Sequence, residues 1–187
     1  MKIFKHNGRH LATAAGALAA GLLATAALTG TAYADTLSVT PGTQAYWISP
    51  GYDSLNISVA GGSTAFGTRI IQWPNDGGAE QKWFFDAVSD SGTLVGYMIR
   101  NDNSGMCIWT DDQVGDTLYQ GPCDPDSDQD VFGWHAASTV DNFFIQAASP
   151  NLALDVSGDS YNWGADIDGW YATKAWNQDF FVTATSS

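Results

Sequence analysis

The chain has 187 residues, carries 20 acidic side chains against 7 lysines and arginines, and has a formal net charge of −13 at pH 7. Hydrophobic residues make up 44% of it and charged residues only 14%, so it can form a core and is not intrinsically disordered. Abundant Gly, Asp, Thr and Trp, with few Glu and Lys, argue against a helical bundle. The acidity argues against nucleic acid or anionic lipid as a partner, because both require a basic surface.

The first 34 residues have the pattern of a secretory signal peptide. Basic residues precede an apolar run rich in Ala and Leu, and Ala32-Tyr33-Ala34 forms an A-x-A cleavage site before Asp35. The alternative is an uncleaved membrane anchor, since the run approaches the length that spans a bilayer. The run is Ala-rich, however, and ends in small residues. We therefore expect a single secreted domain of residues 35–187, with no membrane association after cleavage.

Residues 35–187 contain three units at a nearly constant period. Three glutamines recur at intervals of 48 and 49 residues, and each starts a similar segment: Gln81-Lys82-Trp83-Phe84, Gln129-Asp130-Val131-Phe132 and Gln178-Asp179-Phe180-Phe181. A second set of residues has the same spacing: Trp73, Gly121 and Trp170. A third mark, 53 and 46 residues apart, opens each unit: Ser54-Leu55-Asn56-Ile57, Cys107-Ile108-Trp109-Thr110 and Ala153-Leu154-Asp155-Val156. Self-similarity of this kind indicates repeated supersecondary units that share one core.

Each unit has the pattern of short β-strands. Apolar and polar residues alternate over three to six positions between breaks rich in Gly, Asp, Asn and Ser, as in Leu154-Asp155-Val156 before Ser157-Gly158-Asp159. No segment of 35–187 has a sustained helical period of 3.6 residues. The sequence therefore predicts an all-β domain of three repeats of about 48 residues each, with no room for a second domain.

Cys107 and Cys123 are the only cysteines of the chain. Outside the cell, a lone pair of cysteines indicates one disulfide. The chain-entropy model gives a loop of this length roughly 3 kcal/mol of stabilisation.

The three Gln-x-aromatic segments, each preceded by an opening strand of Leu-Asp-Val type and a mid-unit aromatic position, resemble the ricin B-type lectin family. The resemblance covers essentially all of 35–187. It implies a β-trefoil, in which three four-stranded units surround a pseudo-threefold axis, and it implies carbohydrate binding. It also implies that Cys107 and Cys123 join the opening and mid-unit strands of the second unit.

The resemblance places a sugar site in the third unit. Asp155 matches the opening acid, Asp168 the mid-unit polar position where many members have Gln, Trp170 the stacking aromatic, and Asn177 and Gln178 the amide pair. The strand period of two independently puts Asp168 and Trp170 on one face. Carboxylates accept strong hydrogen bonds from hydroxyls, and an indole covers the apolar face of a pyranose. Gln178 is expected to brace the site. The alternative is that Trp170 is a core residue and Asp155 only caps a turn.

The other two units depart from this pattern. The first unit keeps a second candidate sugar site, formed by Asn56, Trp73, Glu80 and Gln81. In it Asn56 replaces the acid, Ile71 the mid-unit polar residue and Glu80 the first amide. The alternative is that the first unit retains the fold but its pocket has decayed. The second unit has Trp109 in place of the acid and Gly121 in place of the aromatic, with Tyr119 at the polar position, and we expect no sugar site there.

No metal, cofactor or catalytic site is expected. Residues 124–130 alternate acids like a calcium loop, but position six is Gln129 and position twelve is His135. No nucleophile–base pair, H-E-x-x-H or G-x-S-x-G occurs.

The expected function is a secreted, non-catalytic lectin for galactose-like or related polysaccharide units, acting mainly through the third unit. The alternatives are a trefoil that binds protein, such as an inhibitor of a secreted hydrolase, and a two-carboxylate glycosidase. The oligomeric state stays open.

Overall fold

The computed structural model describes residues 10–11, 39–52, 54–136, 143–148 and 152–186. The predicted leader and its cleavage site lie outside the described residues, except for His10–Leu11. The strands are β1 (His10–Leu11), β2 (Tyr46–Pro50), β3 (Leu55–Val59), β4 (Ile70–Pro74), β5 (Trp83–Asp90), β6 (Thr93–Asn101), β7 (Cys107–Trp109), β8 (Tyr119–Gly121), β9 (Val131–Ala136), β10 (Phe143–Ala147), β11 (Leu152–Val156), β12 (Ile167–Tyr171) and β13 (Phe180–Ala184). Short 3-10 turns are η1 (Ala60–Gly62), η2 (Ala79–Gln81), η3 (Ser157–Asp159) and η4 (Trp176–Gln178). None of the described segments forms a helix long and apolar enough to cross a membrane.

Six strands close into an antiparallel barrel. The ring runs β2–β5–β6–β9–β10–β13 and returns to β2, so that each unit contributes its first and last strand. Closure leaves these strands without the unpaired edges that open sheets must protect. The short strand β1 pairs with β5 at Ser89 and Val88.

The remaining strands form three hairpins, β3–β4, β7–β8 and β11–β12. The hairpins meet one another in a cyclic pattern through isolated bridges: Arg69 with Tyr119, Thr117 with Asp168, and Asp166 with Ile71. The two members of each bridge occupy the same two repeat positions in successive units. The predicted β-trefoil of three repeats is therefore confirmed.

The apolar core is centred on the pseudo-threefold axis. Three of its residues have the repeat spacing and are at most 1% exposed: Ile70, Leu118 and Ile167. Backbone hydrogen bonds of 2.8 Å join Ile70 N–H to Leu118 C=O and Leu118 N–H to Ile167 C=O. The residues two positions after each repeat glutamine are fully buried as well: Trp83, Val131 and Phe180. Trp83 and Phe180 belong to the axial core, whereas the second unit has the aliphatic Val131 at this position, and Val131 packs in a smaller separate cluster.

Two further glutamines clamp neighbouring units together. Gln72 Nε2 donates to the carbonyls of Ser160 and Asn162, and Gln120 Nε2 donates in the same way to those of Ser63 and Ala65. The equivalent residue of the third unit is Gly169, where a Cβ atom would lie only 3.2 Å from Leu152 Cδ1. Each amide satisfies two loop carbonyls, so the clamps fix how one unit sits against the next.

The predicted disulfide between Cys107 and Cys123 is present, at a sequence separation of 16. It joins β7 to the chain just after β8. Cys107 is fully buried and packs with Val88, Met98 and Val131 in a small second apolar cluster. The bond therefore ties the two strands of the second-unit hairpin together, and the packing of Cys107 holds that hairpin against the barrel.

Asp130 is a buried carboxyl beside the repeat glutamine of the second unit. Its Oδ2 accepts the backbone N–H of Asp124 at 2.8 Å, and its Oδ1 has no hydrogen-bond partner among the described residues. Burial, the largest effect, raises the pKa of Asp130 to about 7, against the opposing effect of that hydrogen bond.

Leu118→Ala should lower the free energy of unfolding by about 2–5 kcal/mol, because it opens a cavity on the axis that all three units share. Urea denaturation measures the loss. Val114→Ala is the matched control, since Val114 lies in the same unit with 38% of its side chain exposed. Equal losses in the two variants would contradict a shared axial core.

The stability should also depend on pH through Asp130. An Asp carboxyl in the unfolded chain has a pKa of about 3.9, so between about pH 4 and pH 7 the folded state holds a proton that the unfolded state has released. The free energy of unfolding should therefore fall as the pH rises through this interval. Asp130→Asn should flatten that slope, while the exposed Asp102→Asn should keep it. Denaturation at several pH values provides the test, and an unchanged slope in Asp130→Asn would refute the assignment.

Candidate functional site

The β11–β12 hairpin brings the predicted third-unit side chains to one face. Asp155 lies directly opposite Asp168, and Ala153 lies opposite Trp170. Because side chains alternate along a strand, these four residues share the outer face of the hairpin, while Leu154 faces the core. The prediction that the strand period of two puts Asp168 and Trp170 on one face is therefore confirmed.

The amide pair in η4 holds the Asp155 carboxylate from both sides. Asn177 Nδ2 donates to Asp155 Oδ1 at 2.7 Å, and Gln178 Nε2 donates to Asp155 Oδ2 at 2.8 Å. A carboxylate has about four acceptor positions, so each oxygen keeps capacity for a further donor. Asp155 is 6% exposed. The carboxylate is fixed in orientation before any ligand arrives.

Gln178 acts as a brace for the loop as well as for the acid. Its Oε1 accepts the backbone N–H groups of Thr173 and Lys174 at 2.8 and 3.1 Å. Its Nε2 also donates to the carbonyl of Tyr171 at 2.8 Å. Gln178 is fully buried, so it positions Asp155 and does not offer a surface to a ligand.

Trp170 forms an exposed platform that rests on a glycine of the preceding unit. The indole is 43% exposed, and a Cβ atom on Gly115 would lie 3.1 Å from its Cζ3. Gly115 has φ +87°, a conformation that favours glycine. Trp73 has the corresponding relation to Gly164, at 3.6 Å. These glycines, with Gly67, follow the repeat spacing. They were not predicted from the sequence, although the same period of 48 and 49 residues marks them.

Burial makes both carboxyls of the hairpin weaker acids. Burial raises the pKa of Asp155 to about 6, and the charges of Asp168 and Asp159 add to the shift, while the two amides oppose it. Burial also raises the pKa of Asp168, with Asp166 adding to the effect and a hydrogen bond from Ser157 opposing it. Asp155 is thus mostly ionised at pH 7 and takes up a proton below about pH 6.

The strand register of the first unit corrects the expected position of its opening residue. Ser58, not Asn56, lies opposite Ile71, which is the residue at the Asp168 position. The alignment of Asn56 with the opening acid is therefore wrong by two residues. Asn56 is buried, and its Oδ1 accepts the hydroxyl of Ser49 at 2.7 Å.

The physical reason lies in the alternation of β3. Leu55-Asn56-Ile57 and Ile57-Ser58-Val59 both have an aliphatic–polar–aliphatic pattern, and both fit the opening strand. A shift of two residues keeps every side chain on its own face, so alternation alone cannot fix the register.

The rest of the first-unit set is only partly brought together. Trp73 is 39% exposed, and Glu80 occupies the position of Asn177. Gln81 is fully buried and braces its loop by donating to the carbonyl of Pro74 at 2.7 Å. It has no opening carboxylate to hold, since Ser58 stands there.

The second unit fills its platform position with another side chain. Trp109 lies across Gly121, where a Cβ atom would be 2.9 Å from the indole, and Trp109 Nε1 donates to the carbonyl of Pro122 at 2.9 Å. Tyr119, at the Asp168 position, is hydrogen-bonded to Asp111, and burial, the largest effect, raises the pKa of Tyr119 to about 12. Gly121 is thus required by the indole of Trp109.

The structure also shows the surroundings of His135 and of the acidic turn at residues 124–130. His135 stacks on Phe144 with ring centroids 4.7 Å apart, and burial and Lys174 lower the pKa of His135. In the acidic turn, Asp126 N–H donates to Asp124 Oδ1 at 3.0 Å. Across the described ranges, no group of three or more His, Cys, Asp and Glu side chains is placed to hold a metal ion.

The comparisons with known proteins agree with this fold. The model of a family described as ricin-type beta-trefoil lectin domain-like matches residues 36–112 and 79–170, which together cover well over half of the chain. The chain therefore belongs to the ricin-type β-trefoil lectin domain-like family. Membership of a lectin-domain family supports carbohydrate binding. Among curated protein sequences, none matches the chain at a significant level.

Solved structures similar to this chain share its fold at low sequence identity. The designed threefold-symmetric protein ThreeFoil is 21% identical with a TM-score of 0.65, over 74% of this chain and 97% of that one. The Macrolepiota procera ricin B-like lectin in complex with lactose is 22% identical with a TM-score of 0.63, over 79% and 99%. The earthworm R-type lectin C-half in complex with GalNAc is 20% identical with a TM-score of 0.59, over 76% and 99%.

Gly115→Ala should strain the backbone by about 1–2 kcal/mol and also displace the Trp170 indole. Gly67→Ala is the matched control, because Gly67 has a similar positive φ but nothing within 4 Å of its added Cβ. Both variants should lose similar stability in urea denaturation. Only Gly115→Ala should shift the indole N–H resonance of Trp170 in a nitrogen–proton correlation spectrum. An unshifted Trp170 resonance would contradict the platform contact.

Proposed function

We propose that the protein is a secreted, non-catalytic lectin that binds galactose-like or related polysaccharide units, mainly through its third unit. The observation that carries the proposal is the Asp155 carboxylate, which two amides hold in place beside the exposed indole of Trp170. Asp155 accepts two sugar hydroxyls through its remaining acceptor positions. Trp170 covers the apolar face of the pyranose ring.

The sugar class is supported by two of the similar structures. They are complexes with lactose, which contains galactose, and with GalNAc, its 2-acetamido derivative. Secretion is supported by the leader pattern of residues 1–34 and by the disulfide, which is typical of oxidising compartments.

A single shallow site of this kind should bind a monosaccharide with a Kd on the order of 0.1–1 mM, or roughly −4 to −5.5 kcal/mol. Stronger attachment to a polysaccharide then requires several binding sites or a multivalent glycan. The first-unit set of Trp73, Glu80 and Gln81 is the second candidate site under this proposal, without the contribution first assigned to Asn56.

A glycan array with the wild-type protein, Asp155→Asn and Trp170→Ala tests the proposal. Both variants should lose most of the signal, because the first removes a charged acceptor and the second removes the platform. Trp73→Ala is the control, since it alters the equivalent indole of the first unit, and circular dichroism checks that all variants fold.

Three outcomes would count against the proposal. Undiminished binding in both third-unit variants would refute the site, and loss only in Trp73→Ala would move it to the first unit. Absence of binding by the wild-type protein would favour a protein partner, which pull-down from culture medium would then identify.

A further inference from the structure

The third-unit site contains two buried carboxyl groups that lie opposite each other, with no cation from the described residues beside them. Asp155 and Asp168 are directly opposite on the hairpin and are 6% and 5% exposed. Their hydrogen-bond donors are neutral: two amides for Asp155 and the hydroxyl of Ser157 for Asp168. Asp168 Oδ1 has no partner within the described part of the chain. Like charges opposite each other in a sheet are destabilising, and a buried charge without a counter-charge is costly.

The basic side chains of residues 35–187 are engaged elsewhere. They contact acids and aromatic rings outside this pair: Asp166 for Arg69, Asp86 for Arg100, the Trp47 ring for Lys82 and the Phe144 ring for Lys174. Lys174 is informative, because its backbone borders the site while its ammonium lies over Phe144, 5.8 Å from the ring centroid. Among the described cations, none therefore neutralises Asp155 or Asp168.

The fold does not require the second carboxylate. The positions equivalent to Asp168 in the other two units hold Ile71 and Tyr119, and all three make the same kind of bridge to a neighbouring unit. Asp168 is thus an acid where the architecture accepts an aliphatic or aromatic residue. Its charge needs a reason outside the folding of the hairpin.

We propose that the third-unit site is selective for pyranoses that carry an ammonium group, namely hexosamines with a free amine and deacetylated amino polysaccharides. The inference rests on the proposed lectin function, since it assigns the ligand class of the same site. The ammonium supplies the missing counter-charge to Asp168 and Asp155 through charge-assisted hydrogen bonds. Trp170, two residues from Asp168 on the same face, covers the sugar ring and also attracts the cation through its π face.

The overall charge of the protein favours the same ligand class. A net charge of −13 attracts cationic polysaccharides over a range set by the ionic strength. This general attraction is independent of the site, so the experiment must separate it from recognition by Asp168.

Isothermal titration and ligand-observed magnetic resonance with the full chain at pH 7 and low salt provide the test. Galactose, galactosamine and GalNAc differ only in the group at C2, and the three corresponding glucose derivatives cover the other configuration at C4. Galactosamine or glucosamine should bind about tenfold more tightly than its parent hexose, which corresponds to about 1.4 kcal/mol. The preference should shrink as salt is added, while binding of the neutral sugars should not change.

Asp168→Asn should abolish the preference for the amine, so that hexosamine and parent hexose bind with equal affinity, because it keeps the side-chain shape and removes the charge that the ammonium pairs with. Asp102→Asn is the matched control, since it makes the same charge change at an exposed site away from the hairpin. If Asp168→Asn does not fold, Asp168→Ile, which copies Ile71 of the first unit, takes its place and should abolish the preference in the same way.

The outcomes distinguish the inference from the function on which it rests. Equal affinity for hexose and hexosamine would overturn the inference and leave the lectin function intact. A preference that survives in Asp168→Asn, or one that Asp102→Asn also abolishes, would overturn it too. Failure of all six sugars to bind would overturn both proposals.

Discussion

The cyclic pairing of the three hairpins around Ile70, Leu118 and Ile167 is the constraint on which the rest of the structure depends. It fixes each hairpin against the loop of the preceding unit with the same backbone hydrogen bonds in all three places. The position of Gly115 under the Trp170 indole follows from this pairing, as does that of Gly164 under Trp73. The positions of the indoles are therefore set by the pairing of the hairpins, and the side chains beside the indoles can differ between units.

The hydrogen bonds of the repeat glutamines show which contacts belong to the fold and which belong to the candidate sugar site. Gln81 and Gln178 both donate to the carbonyl of the residue that ends the preceding strand, so each braces its loop whether or not a site is present. Of these two, only Gln178 also donates to a carboxylate of its opening strand, because Asp155 stands where the first unit has Ser58. The glutamine of the second unit, Gln129, donates instead to Asp112 Oδ2 at 2.9 Å. A repeated Gln-x-aromatic pattern thus reports the fold, and the identity of the residue opposite the mid-unit position determines the chemistry.

The sequence predicted the features that depend on spacing and alternation. The 48- and 49-residue intervals predicted three units, and the period of two placed Asp168 beside Trp170 on the outer face. Features that depend on strand register were not accessible, since β3 contains two overlapping aliphatic–polar–aliphatic triplets. The sequence therefore predicted Asn56 at the opening position, where the structure has Ser58. The orientation of the two η4 amides onto Asp155 arises from tertiary packing and leaves no mark in one sequence. The clamps formed by Gln72 and Gln120 have the repeat spacing and could have been found from it.

The contact between Gly115 and Trp170 has a consequence for how such a site is inherited or transplanted. The third-unit site needs a glycine from the second unit beneath its indole, so its parts extend over residues 115–178 and exceed one repeat of about 48 residues. Copying one repeat by itself would duplicate the acid, the aromatic and the amides without their support. Two adjacent repeats are the smallest segment that carries the complete site. A graft into another trefoil should therefore include the contact between Gly115 and Trp170 and should not be cut at the repeat boundary. The same holds for a duplication during the history of the chain.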